Sequence, residues 1–222
     1  MGRVSQAQAA ENRERIVATA ARLFRERGIS GVSVADVTAE SGLTHGGFYK
    51  HFTSKDALVA EAVARAFAEQ AESLRTAADP RVRALIDTYL SPAHRDDPGS
   101  GCPTAGFGGD VAHAGGGDGT RLAYAAGVEG FARYLAGGQK PAPPGPQKPD
   151  PADGQEPDRT DGQEQERELD LATLCTMVGA LILARATSGT PLSDRILAAA
   201  RESLAAPKDS QAPKDSPAPE DS

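Results

Sequence analysis

The apolar side chains of this chain recur at intervals of three and four residues and nowhere alternate with polar ones over a sustained stretch. That spacing gathers them on one face of a helix and cannot furnish the two faces of a sheet, so the expected fold is all-α. Ile16, Ala20, Leu23 and Phe24 give a first helix ended at Gly28. A short second helix starts at the capping residue Ser33, places Val34 and Val37 inward and stops near Gly42. A third follows Thr44, another cap, and runs through Phe48 and Phe52. Ser54 then caps a long fourth helix in which Val59, Val63, Phe67 and Leu74 keep the spacing. Asp79-Pro80 reads as a cap with proline at the first helical position, ahead of Val82, Leu85, Ile86 and Tyr89. Beyond it we expect a short helix near 103–113 in Gly-rich chain, then helices at about 119–136, 168–187 and 192–205, the last capped by Ser193 or entered at Pro191.

The 222 residues carry 24 Lys and Arg against 31 Asp and Glu, a formal charge of -7 that argues at first against a nucleic-acid partner. The excess is local. Residues 137–170 hold -5 and residues 206–222 hold -2, so the remaining 171 residues are neutral as a set. The first segment has seven of the 16 prolines and almost no apolar residue, and the second repeats as APKDSQ, APKDSP, APEDS. Neither can bury enough surface to offset the entropy of ordering it, so both read as disordered, one a linker and one a tail. Residues 1–56, with eight basic and six acidic groups, are mildly basic.

Two cysteines, Cys102 and Cys175, make no disulfide framework in a chain this long, and the N-terminus lacks the apolar stretch of a signal peptide. An intracellular, cytoplasmic setting is the expectation. The uncharged apolar run Leu171 to Ala184 is shorter than the roughly 20 residues that span a bilayer, so it reads as a buried helix and no membrane partner is expected. There is no metal-ligand cluster and no phosphate-binding glycine motif, and neither a metal nor a cofactor is expected.

Two short helices joined by the tight turn in ESGLTHGG form the geometry by which a helix-turn-helix lays its second helix in a major groove. The run GISGVSVADVTAESGLTHGGFYKHFTSKDAL closely resembles the DNA-binding domain of the TetR/AcrR family of bacterial transcriptional regulators, over about residues 11 to 60. The resemblance implies a DNA-binding domain at 1–56, with its helix-turn-helix at about 33–52, and a larger helical ligand-binding and dimerisation domain at 57–205. It also implies that Thr44, His45, Gly47 and Tyr49 face the groove, that Tyr49, His51 and Lys55 contact the phosphate backbone, and that Ser33 donates to a phosphate as well as capping. Gly46 and Gly47 remove side-chain bulk, which lets backbone amides at a helix N-terminus approach phosphate or base edges. Where the family carries a hydrogen-bonding residue this chain has Gly47, and where it carries a basic one it has His45, which shifts base readout to His45 or to DNA shape. The bland reading of Tyr49 and His51 is as partly packed side chains with no ligand.

By the same resemblance the last two helices form a two-fold homodimer, and LCTMVGALILARA, apolar nearly all round, suits a core on one side and a second subunit on the other. Cys102, in GSGCPTAGF, stands near a helix start, where a thiol pKa is lowered. It is a candidate sensor of electrophiles or oxidants, with a small buried apolar residue as the alternative. Cys175 reads as inert packing. Tyr89, Phe107, Tyr124, Phe131 and Met177 are candidates to line a ligand pocket, or plain core. The expected function is therefore a homodimeric, non-enzymatic repressor released from a palindromic operator by an unknown small-molecule or thiol-reactive inducer. The alternatives are a cysteine enzyme with Cys102 as nucleophile and His94 or His113 as base, and a helix-turn-helix that binds protein.

Overall fold

The computed structural model describes residues 6–79, 81–113, 116–137 and 169–206. Among them run ten helices: α1 (Gln6–Arg27), α2 (Val34–Glu40), α3 (His45–Phe48), α4 (Lys55–Thr76), α5 (Val82–Tyr89), α6 (Pro92–Asp96), α7 (Pro103–Ala112), α8 (Gly117–Leu135), α9 (Leu171–Ala186) and α10 (Pro191–Ala205). The described residues contain no strand, as the apolar spacing requires. The acidic linker and the repeated tail lie outside the described residues, apart from Gly137, Leu169, Asp170 and Ala206 at their edges.

Side-chain caps set the starts of α2, α3, α4, α6 and α9. The Ser33 hydroxyl accepts the Asp36 N–H and the Asp36 carboxylate accepts the Ser33 N–H, a reciprocal capping box at α2. Thr44, Ser54, Ser91 and Asp170 each accept a backbone N–H at the starts of α3, α4, α6 and α9. At the end of α1, Gly28 sits at φ +76° and donates to Phe24 O at 2.9 Å, a left-handed stop that a Cβ would strain.

Two apolar clusters hold the helices together. The first joins Ile16, Leu23 and Phe24 of α1 to Val37, Phe48, Phe52 and the first half of α4, and it takes in Phe107 and Val111 of α7. Each such side chain contributes roughly 1.5–3 kcal/mol on burial. The core of the N-terminal unit therefore continues past residue 56, and α4, about 33 Å long, belongs to both units. α8 lies along α4 at a close approach, where a Cβ on Gly127 would fall 2.2 Å from the Phe67 ring. The second cluster gathers Ile86, Tyr89, Leu90, Phe131, Leu135, Met177, Leu181 and Leu197 around the pair α9 and α10. Asp170 N–H donates to Ala132 O at 3.2 Å, so the chain enters α9 beside the end of α8.

Several local expectations are corrected. α3 ends at Phe48, and residues 49–51 continue as a turn that brings Phe52 back to the core. The start of α5 is not capped by Asp79: the capping position is Arg81, and the Asp79 carboxylate is held instead by the Arg81 N–H and guanidinium. That contact holds the Asp79 carboxyl down at about 2. Ser193 does not cap α10 either, since its hydroxyl donates to Ala184 O at 2.7 Å and Pro191 opens the helix. α6 was unexpected. Cys175 is exposed, because α9 turns Leu174, Met177, Leu181 and Ala184 inward and leaves Cys175 on the far side with Leu171, Ile182 and Leu183. No helix among the described residues is long and apolar enough to cross a membrane.

Candidate nucleic-acid interface and interior cavity

The α2–α3 pair is built by short-range bonds. Gly42, at φ +70°, turns the chain, and Leu43 N–H closes the turn on Thr38 O at 2.9 Å. The Thr44 hydroxyl then accepts Gly47 N–H at 3.2 Å. Phe48, fully buried, stacks on Phe52 with ring centroids 5.4 Å apart, which anchors the inner side of α3. The outer side is left to solvent: Thr44, His45 and Gly46 are exposed, and Tyr49 is 59% exposed. His45 and Tyr49 meet edge-on at 5.4 Å, one turn apart, and so present a joint polar and aromatic surface. Among the described residues, nothing beyond its chain neighbours and its own helical backbone lies within 4 Å of a Cβ added to Gly46, so packing does not demand glycine there.

The other sequence candidates are placed differently. Gly47 and His51 are half-buried. The Ser33 hydroxyl donates to Asp36 Oδ2 at 2.6 Å, so its proton is already used, and that bond with the Ser33 N–H holds the Asp36 carboxyl below its usual range. Lys55 is half-buried, with Nζ donating to Ile29 O at 2.6 Å and standing 5.9 Å from the Phe24 ring centroid. It braces the loop after α1, and its remaining donors are what it has for a phosphate. Lys50, which the sequence reading passed over, is exposed beside Tyr49. Its position after a buried Phe and an exposed Tyr is the signal that would have found it.

Where α1 meets the larger unit, a cavity of about 650 Å³ opens between α1, α4, α5 and the segment leading into α7. Of the five aromatic or soft candidates only Tyr89 lines it. Phe107, Phe131 and Met177 are closed core, and Tyr124 lies against Phe67 with its hydroxyl on Thr104 O at 2.8 Å. Burial, then the nearby Cys102, pushes the Tyr124 phenol up to about 12. The buried Tyr89 hydroxyl faces the Cys102 thiol, and burial first, then that neighbour, raises its pKa well above the ordinary value.

Cys102 is 4% exposed, stands at the capping position of α7 and lines the same cavity. Gln70 Nε2 approaches its Sγ at 3.5 Å. His94 is committed at both ring nitrogens: Nδ1 lies 2.7 Å from Tyr89 O, and Nε2 accepts the Cys102 N–H at 3.1 Å. That pattern fixes the neutral tautomer with its proton on Nδ1. It leaves His94 no lone pair for the thiol proton, and burial holds its pKa below the usual imidazole value. His113, at the other end of α7, bonds Gly109 O. Neither histidine is arranged as a base for Cys102. No cluster of metal-ligating side chains occurs among the described residues.

Residues 16–62 match the family model described as bacterial regulatory proteins, tetR family. The HTH-type transcriptional regulator YerO of Bacillus subtilis is 40% identical over 52 residues, 23% of this chain and 18% of that protein. The HTH-type transcriptional repressor DhaR of a Mycobacterium species is 32% identical over 99 residues, 43% of this chain and 50% of that protein. The chain thus spans half or less of the length of these curated relatives. Among solved structures, reduced NemR of Escherichia coli superposes with a TM-score of 0.58 at 18% identity, covering 86% of this chain and 96% of that one. A TetR transcriptional regulator from Chloroflexus aurantiacus gives 0.57 at 20% identity, covering 90% and 94%. The matched segment, from α1 into α4, thus belongs to the TetR family of bacterial regulatory proteins, and the described helices share the fold of TetR regulators.

Proposed function

We propose that this chain is a homodimeric transcriptional repressor that reads a palindromic operator in double-stranded DNA through α3 and leaves it when a small-molecule or thiol-reactive inducer enters the larger unit. The observation that carries the reading is the α3 surface, where Thr44, His45, Gly46 and Tyr49 stand exposed over the buried Phe48 and Phe52. In this arrangement Thr44, His45, Gly47 and Tyr49 face the groove, while His51, Lys50, Lys55 and the N-terminus of α2 at Ser33 meet phosphates. The cytoplasm is the compartment in which such a protein acts.

The second subunit is assigned to the outer side of α9. Leu171, Ile182 and Leu183 are 50%, 43% and 56% exposed there, with Leu192 of α10 at 49%. Apolar side chains gathered on one helix face suit an isologous interface with the same helix of a second copy. Inducer binding would favour a dimer whose two α3 helices no longer match successive major grooves, about 34–36 Å apart.

Selection of bound duplexes from a random pool tests the reading. Enrichment of an inverted repeat with half-sites one or more helical turns apart is expected, and an unenriched pool would refute it. For the thiol arm, titration with an electrophile should release DNA from the wild type and not from Cys102→Ser. Equal release would remove Cys102 as the trigger.

A further inference from the structure

Arg25 lines both the cavity of about 650 Å³ and a second one of about 450 Å³. Its side chain is 6% exposed, and its Nε–H is buried without an acceptor. The position is forced by a tight helix crossing: a Cβ on Gly106 would lie 3.0 Å from Arg25 Cγ, so α7 presses directly on the end of α1. Its nearest carboxylate among the described residues, Glu69 Oε2, pairs with Nη2 only at 3.6 Å, longer than a hydrogen bond, and Asp97 acts on it from farther off. Glu69 is meanwhile engaged through Oε1 by Arg65 Nε at 2.8 Å.

The smaller cavity is also lined by Arg185, whose guanidinium is hydrogen-bonded but makes no ion pair among the described residues. Arg185 Nε and Nη2 donate to the carbonyl oxygens of Arg95 and His94 at 3.1 Å each, groups that accept hydrogen bonds but carry no neutralising charge. The acids of that lining are already matched, Glu26 by Arg22 at 2.9 Å and Asp96 by Arg95 at 2.7 Å. Burial lowers the pKa of both Arg25 and Arg185 and outweighs the opposing pull of Glu69 on Arg25 and of Asp97 on each. The rest of the wall offers the apolar surfaces of Pro98, Ala105 and Ile182.

We propose that the 450 Å³ cleft between α1, α6, α7 and α9 binds a small organic carboxylate, its oxygens held by Arg25 and Arg185 and its short apolar body by Pro98, Ala105 and Ile182. A planar guanidinium answers a carboxylate with paired N–H donors, and the buried, unpartnered Nε–H of Arg25 is the donor left over for it. The site joins α1 of the DNA-reading unit to α9, so occupancy bears on both ends of the molecule. That consequence rests on the repressor reading. The binding itself does not.

The test uses the full chain with butyrate and benzoate, their uncharged partners butyramide and benzamide, and inorganic phosphate. A carboxylate is expected to raise the melting temperature, to half-saturate at or below about 1 mM, and to bind at least about tenfold more tightly than its amide or phosphate. Arg25→Gln should abolish the response. Ser188→Asp, at an exposed position in the lining, sets a carboxylate at the cleft without touching the core and should blunt the response by at least about tenfold. No saturation, equal binding of amide or phosphate, or an undiminished response in Ser188→Asp would overturn the proposal. Adding the selected duplex to the same solutions separates the two readings. Carboxylate binding by a chain that binds no duplex would refute the repressor reading alone, and duplex binding with no carboxylate response would refute this site alone.

Discussion

Asp110, in the last turn of α7, accepts the backbone N–H of Ile29 at 3.0 Å and so ties the larger unit to the residue that follows the glycine end of α1. The carbonyl of the same residue is held from the other side by Lys55 Nζ at 2.6 Å. Ile29 is thereby clamped between α7 and the start of α4, next to the loop that leads into α2. Since α7 begins at Cys102 in the cavity wall, a rod of about 15 Å connects that wall to the clamp.

Breaking the clamp should be felt in both units. Asp110→Ala leaves a part-buried N–H without its acceptor and is expected to cost about 1–3 kcal/mol in urea unfolding. Asp110→Asn keeps an acceptor and should recover much of that loss. A neutral Asp110→Ala would mean that water replaces the carboxylate and that α7 does not hold the reading unit through this bond.

Gly46 separates stability from reading. A Cβ there meets nothing within 4 Å, so Gly46→Ala should stabilise the protein by about 0.4–1 kcal/mol through reduced backbone freedom in the unfolded chain. On the proposed interface the same methyl stands where the backbone nears DNA, and affinity for the selected duplex should fall. Unchanged DNA affinity in the stabilised variant would move the close approach away from Gly46.

At the α4–α8 crossing the opposite holds. The added methyl of Gly127→Ala would fall 2.2 Å from the Phe67 ring and should cost about 1–3 kcal/mol by overpacking. Phe67→Leu in the same chain makes room, so the double variant should lose less than the sum of the two single ones. Strict additivity in denaturant unfolding would show that the helices separate rather than interlock.

His94 gives a pH dependence whose sign can be worked out. Its folded pKa is depressed by burial, so between that value and the ordinary 6.5 the unfolded chain binds the extra proton. Stability should therefore fall as pH drops below about 6.5. Comparing unfolding at about pH 7.5 and 5.5 keeps the ordinary carboxylates ionised. The loss should be smaller in His94→Gln than in the wild type, and an equal loss in both would assign the effect elsewhere.

The helical class, the caps at Ser33, Thr44 and Ser54 and the core roles of Phe48 and Phe52 were legible because each depends on residues within one or two turns. Asp79 and Ser193 misled for the reverse reason. Each is a good cap by type, but Asp79 found a stronger partner in Arg81, and Ser193 found a carbonyl on the neighbouring helix. Chemistry alone singles out the five aromatic and soft pocket candidates, and four of them, Tyr89 included, belong to the buried core. Arg25 could not be singled out at all. Nothing near it in sequence indicates that Gly106 brings α7 onto its stem, or that Arg185 lines the same cleft. The charge told against DNA only as a total, since outside residues 137–170 and 206–222 the sequence is neutral and residues 1–56 are mildly basic.

The salt dependence of affinity for the selected duplex tests the central claim most directly. If α3 and its flanking Lys50, His51 and Lys55 seat on the phosphates of two half-sites, log affinity should fall steeply and linearly with log salt, with a slope near the number of phosphates neutralised. Tyr49→Ala should lower the whole line. A flat response, or one that Tyr49→Ala leaves in place, would contradict the account.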